Sequence, residues 1–127
     1  MTAVACKNVL VVDDDVAIRE MLAMTLEDEG YTVASAGNGL EALNQLRAQP
    51  DSACLILLDL NMPIMTGWEF RTLQQQDPIL AAIPVVVVSA DRSVQHNTSV
   101  LDVVDYLTKP IDFNQLITLV DRFCNDP

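Results

Sequence analysis

Three stretches of the chain are apolar from end to end and of strand length: Val9-Leu10-Val11-Val12, Leu55-Ile56-Leu57-Leu58 and Val85-Val86-Val87-Val88. None shows the alternation of a half-exposed strand, so each reads as a strand of a parallel sheet covered on both faces. Tyr31 to Ala36 and Val103 to Leu107 are more mixed and read as two further strands. The segments between them have helical spacing. Ile18, Leu22 and Leu26 recur every four residues with Arg19, Glu20, Glu27 and Asp28 on the other side, Asp15 is placed to cap this helix, and Gly30 stops it. Gly37-Asn38-Gly39 turns the chain into a helix carrying Leu40, Leu43 and Leu46, closed by Pro50-Asp51. Thr66 and Glu69 form a capping box for a third helix that ends at Asp77-Pro78, and Asp112 and Gln115 repeat that spacing before a last helix reaching Cys124. Arg92 to Leu101 is polar and β-branched, the weakest helical stretch of the chain.

Strand and helix alternate five times, which predicts an α/β fold: an open parallel sheet with helices on both faces. In such sheets ligands sit beyond the carboxyl ends of the strands, so the residues that terminate strands carry the chemistry. With 127 residues the chain is one domain, 1–127, with its core over about 7–124. Half the residues are hydrophobic, yet they fall in short blocks, which excludes a membrane-spanning helix. The apolar block after Lys7 runs straight into Asp13-Asp14-Asp15 and is no secretory signal, so a cytoplasmic location is expected. A net charge of −11 makes nucleic acid a poor partner. Cys6, Cys54 and Cys124 lack any metal or disulfide spacing and are expected to be reduced thiols.

The strand ends offer Asp13 and Asp14 from the first strand, Asp59 from the third, Ser89 from the fourth and Lys109 from the fifth. Clustered carboxylates repel unless a hard cation lies among them, and this oxygen set suits Mg²⁺. The hydroxyl and the ammonium add donors for phosphoryl oxygens, so the set fits phosphoryl transfer with a carboxylate nucleophile. Asp59, single and central, is the candidate nucleophile; Asp13 and Asp14, paired on a neighbouring strand, are placed to hold metal. Taken alone, Asp13 to Asp15 reads as a solvated helix-capping run and Ser89 as an ordinary strand-end hydroxyl. Only the combination changes those readings. Lys7 and Lys109 are the sole lysines, which gives the position of Lys109 added weight.

Four pieces together resemble a response-regulator receiver domain of two-component signalling. They are Val11-Val12-Asp13-Asp14-Asp15, Leu57-Leu58-Asp59-Leu60-Asn61-Met62-Pro63 with Gly67 eight residues after Asp59, Val88-Ser89-Ala90, and Tyr106-Leu107-Thr108-Lys109-Pro110. The resemblance implies the flavodoxin-like (βα)5 fold with strand order 2-1-3-4-5. It further implies that Asp59 is the phosphoacceptor and that Mg²⁺ is held by Asp14, Asp59 and the Asn61 carbonyl, with Asp13 holding a metal-bound water. Ser89 is implied to bind the phosphoryl group, Lys109 to pair with it, and Tyr106 to turn inward when Ser89 moves. The Lys109-Pro110 bond is implied to be cis, and Asn61 and Asp91 to modulate the lifetime of the acyl phosphate. The phosphodonor would be a histidine kinase or a histidine phosphotransfer protein, and the output contact with a downstream protein target.

Two departures stand out. The segment from Ser89 to Lys109 is about two residues shorter than the family leads one to expect, and Leu101-Asp102-Val103-Val104 replaces the usual Gly-Ala before the fifth strand. Both fall on the expected fourth helix, part of the output surface in typical members. Nothing follows Pro127, so the expectation is a receiver without an output domain, a monomer or weak dimer with no membrane insertion. It is expected to catalyse only its own phosphorylation and slow dephosphorylation, and not to be an enzyme in the ordinary sense. A second reading is a receiver-like interaction module that works without phosphorylation. A third, an aspartyl-phosphate phosphatase, typically wants a second acid two residues after the nucleophile, where Asn61 stands.

Overall fold

The computed structural model describes residues 7–90 and 102–125. Five strands, β1 (Asn8–Val12), β2 (Thr32–Ala36), β3 (Leu55–Leu58), β4 (Val85–Ser89) and β5 (Asp105–Thr108), form one all-parallel sheet in the order β2-β1-β3-β4-β5. Helices α1 (Val16–Asp28), α2 (Gly39–Ala48), α3 (Gly67–Gln76) and α4 (Phe113–Asn125) connect or follow them, with short 3-10 turns at Pro50–Ser52 and Leu80–Ala82. The order and the parallel pairing are those the resemblance implied.

The continuous apolar strands are explained by their two covered faces. Val9, Val11, Leu55, Leu57, Val86 and Val88 point to one side and pack with Leu22 and Leu26 of α1 and Leu116, Leu119 and Val120 of α4. Leu10, Val12, Ile56, Leu58 and Val85 point to the other, against Ala42, Leu43 and Leu46 of α2 and Phe70 of α3. Successive strand residues serve opposite layers, so from Val9 to the end of β1, and throughout β3 and β4, no position has water to face. Full burial of each Val or Leu side chain contributes roughly 1.5–3 kcal/mol, and the central strands make nearly every residue contribute.

The helix ends obey the sequence signals. Asp15 accepts from the N–H groups of Ala17 and Ile18 at the start of α1, and Asn38 accepts from Glu41 at the start of α2. At α3 the Thr66 and Glu69 side chains cap each other's backbone as the spacing predicted. Asp112 accepts from the N–H groups of Asn114 and Gln115 before α4. Gly30, with φ 96°, carries the turn after α1.

Three expectations need correction. β5 begins at Asp105, two residues later than the apolar pattern indicated, because Asp102 turns the chain with φ 53° and Val103 goes into the core instead of the ladder. Leu40, read as part of the buried stripe of α2, is 42% exposed; Ala42 takes the inward position. Cys54 is disulfide-bonded rather than a reduced thiol. The Cys54 N–H donates to the Asn8 carbonyl at the start of β1. Cys124 keeps a free, buried thiol, while Cys6 lies outside the described residues. So do Asp91 and the stretch 92–101, where the fourth helix was expected. Among the described residues no helix is long and apolar enough to cross a membrane.

One polar network runs through the layer beneath α3. Arg71 is 5% exposed; its Nη1 donates to Gln74 Oε1 at 2.8 Å and its Nη2 to the Asp102 carbonyl at 2.7 Å. The Gln74 amide nitrogen in turn donates to the carbonyls of Leu80 and Ile83. The guanidinium thereby ties α3 to the approach to β5. Arg71→Met removes the donors but keeps the stem, leaving the buried Gln74 Oε1 and the Asp102 carbonyl without these partners. Unfolding in urea should show a loss of about 2–4 kcal/mol. Gly67→Ala should cost about 1–3 kcal/mol in the same measurement, because the added Cβ would lie 2.3 Å from the Asp59 carbonyl oxygen and 2.8 Å from Leu60 Cα.

Candidate functional site

The sheet register assembles the site. Val12 pairs with Leu58 and Ser89 with Thr108, so the residues just past β1, β3 and β5 emerge on one edge. The ladder runs one step beyond the strands: the Asp59 N–H donates to the Val12 carbonyl, the Asp13 N–H to Ala36, and the Lys109 N–H to Ser89, at 2.9, 3.1 and 3.0 Å. Asp13, Asp59 and Lys109 therefore leave the sheet with their backbones already fixed.

Their side chains are fixed too. Oδ1 of Asp13 accepts the Asp15 N–H at 2.9 Å, and Oδ1 of Asp59 accepts the Asn61 N–H at 3.3 Å, each acid closing its own loop. The second oxygens converge on Lys109, whose Nζ stands 2.9 Å from Asp13 Oδ2 and 3.5 Å from Asp59 Oδ2. Asp13 and Asp59 are 1% and 5% exposed, and the lysine bridge offsets the cost of burying two like charges together. Asp14 completes the group from an exposed position, and one carboxylate oxygen from each of the three acids lies within 4.8 Å of the others.

Three hard oxygen donors opposed by a single ammonium leave an excess of negative charge that suits a divalent cation of the Mg²⁺ type. Burial and the neighbouring Asp13 push the Asp59 carboxyl above the ordinary aspartate range, against the opposing pull of Lys109 and the Asn61 N–H. Burial pulls Lys109 down, but the hydrogen bond to Asp13 and the charges of Asp59 and Asp13 outweigh it, and its ammonium is held above the usual lysine value.

Of the other residues singled out in the sequence, Ser89 is the buried last residue of β4 and stands on the same edge. Asn61 is exposed in the loop after Asp59. Tyr106 lies back within β5, opposite Val87, and is half-buried in a small cluster with Leu60, Trp68 and Val103 rather than in the polar group. The Lys109-Pro110 bond is cis. Asp91 lies outside the described residues. The sequence reading overlooked Arg19, which it placed on the polar side of α1. Its Nη1 reaches back six residues to donate to the Asp13 carbonyl at 2.7 Å.

The raised Asp59 value fixes the sign of a pH effect. A carboxyl whose folded value exceeds its unfolded one contributes stability when protonated and loses that contribution as the pH rises through the folded value. At neutral pH and without divalent metal, Asp59→Asn should therefore raise the urea midpoint. The gain should shrink to nothing as the pH falls below the ordinary aspartate value of 3.8, which denaturation series at several pH values will show.

With this geometry in view, similarity to known proteins is informative. The family model described as the response regulator receiver domain matches residues 9–121. A protein of Leptolyngbya boryana named as an uncharacterized 14.6 kDa protein in the sodA1 3' region is 36% identical over 126 residues, covering 98% of this chain and 95% of its own. The alkaline phosphatase synthesis transcriptional regulatory protein SphR of Synechococcus elongatus is 32% identical over 94% of this chain, which spans only 51% of SphR. Among solved structures, the response regulator TrrA of Thermotoga maritima, in complex with Mg²⁺ and BeF, superposes with a TM-score of 0.81 at 29% identity, covering 92% of this chain and 98% of that one. The chain belongs to the response regulator receiver domain family of two-component signalling.

Proposed function

We propose that this receiver takes a phosphoryl group onto Asp59 from the phosphohistidine of a histidine kinase or histidine phosphotransfer protein. The observation that carries this reading is the bridge by which Lys109 holds the Asp13 and Asp59 carboxylates beside a third acid. A carboxylate oxygen of Asp59 attacks phosphorus, the phosphorus–nitrogen bond of the donor breaks, and the electron pair leaves with the imidazole. Asp13, Asp14, Asp59 and the Asn61 carbonyl would hold Mg²⁺, which when bound would neutralise charge on the approaching phosphoryl oxygens; the Mg²⁺-bound TrrA complex supports this choice of ion.

The chain's own groups do the rest. The Lys109 ammonium, kept charged by Asp13, donates to a phosphoryl oxygen, and the Ser89 hydroxyl donates to another from the end of β4. Movement of Ser89 toward the group opens space beside Tyr106 on the adjoining strand, and repacking of that ring alters the surface offered to a downstream protein. Hydrolysis of the acyl phosphate, tuned by Asn61 and Asp91, restores the carboxylate. The protein catalyses only its own modification and turns over no separate substrate.

Incubation with acetyl phosphate and Mg²⁺ should add one phosphoryl group by mass, and Trp68, packed against Leu60 next to the acceptor, should change fluorescence with Mg²⁺ and BeF₃⁻. Asp59→Asn should abolish both the mass gain and the BeF₃⁻ response. Lys109→Met should slow phosphorylation by roughly 10²-fold or more. Undiminished labelling of the Asp59→Asn protein would sink the assignment, as would multiple turnover on an added phosphomonoester.

A further inference from the structure

Asp13 has more of its polar atoms tied down than any ordinary loop acid requires. Its N–H donates to Ala36, Oδ1 accepts from Asp15, and Oδ2 accepts from Lys109. Its carbonyl is the one group with no strand to meet, because the chain turns away into α1 just there. Arg19 fills that role from the second turn of α1, at 2.7 Å. A charge-assisted bond of this length is among the stronger local restraints available, and the planar guanidinium makes it directional.

Gly37 packs against the same guanidinium. Its φ lies outside the left-handed region, so the backbone there does not demand glycine. Space there is limited: a Cβ at residue 37 would lie 3.3 Å from Arg19 Nη1, whose flexible tip would have to give by a few tenths of an ångström, and in ordinary contact, 3.5 Å, with Glu41 Oε2. Glu41 also receives the Gly37 N–H at 3.2 Å, so the turn into α2 is drawn down over the guanidinium. The turn after β2 and the second turn of α1 thus close over the peptide that follows Asp13.

We infer that Arg19 is a positioning residue for the phosphoacceptor site, fixing the Asp13 peptide so that one carboxylate can serve both the divalent cation and Lys109, with Gly37 leaving the room it needs. This rests on the phosphoacceptor reading above. Arg19 touches none of the reacting atoms; it sets the angle at which Asp13 leaves β1, and that angle decides where both carboxylate oxygens stand. Partners of this indirect kind commonly tune metal affinity by about 10–100-fold.

The test uses the full chain and Mn²⁺ alone as probe, bound ion being read from the loss of the free-ion EPR signal, with urea unfolding in metal-free buffer alongside. Arg19→Met should weaken Mn²⁺ binding about tenfold while leaving the urea midpoint near that of the wild type, and Arg19→Lys, with one ammonium in reach of the same carbonyl, should recover part of the loss. Gly37→Ala should weaken binding by less, and should add nothing further in the Arg19→Met background if both act through one contact. Wild-type affinity in Arg19→Met overturns the inference alone. So does a loss of affinity matched by a general loss of stability, or effects of the two substitutions that multiply. Wild-type protein that takes up no Mn²⁺ and no phosphoryl group overturns the inference and the phosphoacceptor reading together.

Discussion

One ammonium holds this site together. Lys109, delivered by β5, stands between carboxylates delivered by β1 and β3, and without it two aspartates buried to 1% and 5% would face each other as bare like charges. Everything that brings the three groups into reach is apolar. The sheet register sets the strand ends level, the register is held by side chains that serve opposite layers in turn, and a slip of one residue would send every side chain to the layer it does not fit. The polar chemistry at the edge therefore depends on the packing of Leu, Ile and Val several residues back.

Most of the architecture was legible because the chain writes it in blocks. β1, β3 and β4 are uninterrupted apolar runs, and the capping residues Asp15, Asn38 and Thr66 stand where the helices begin. The site was legible as a set of strand-terminating residues, since each is the first polar side chain after such a run. What failed to show shares a cause: it depends on which residues meet across space. The polar-face position of Arg19 gave no sign that it reaches the Asp13 carbonyl. Val103 and Val104 looked like strand because they are β-branched, yet the turn at Asp102 sends Val103 into the core and leaves Val104 with its N–H on the Val85 carbonyl one step before β5 begins. Ile64 adopts φ 69°, a conformation that β-branched residues avoid and no propensity would suggest.

Arg71 illustrates how a departure from the family pattern is accommodated. Where small residues usually precede the fifth strand, this chain has Leu101-Asp102-Val103-Val104, and the Asp102 carbonyl faces inward. α3 supplies a donor for it in the buried Arg71 guanidinium, itself held by Gln74. Burial lowers the affinity of that guanidinium for its proton, with Asp102 opposing the shift. An arginine still keeps its charge under such conditions, where a lysine is more readily neutralised. The helix that begins beneath Asp59 thereby also anchors the chain that leads to Lys109.

Gly67 gives that arrangement a mechanical meaning. The first turn of α3 lies so close to the main chain of Asp59 and Leu60 that no side chain fits between them, and the Gly67 N–H donates to the Leu60 carbonyl at 3.0 Å. Asp59 is mounted on a stiff backstop. Under the proposed phosphoacceptor role, a group added to Asp59 would meet α3 on this side and be directed toward the side where Ser89, Lys109 and the strands behind them stand. The smallest side chain in the neighbourhood thus gives the switch its direction of travel.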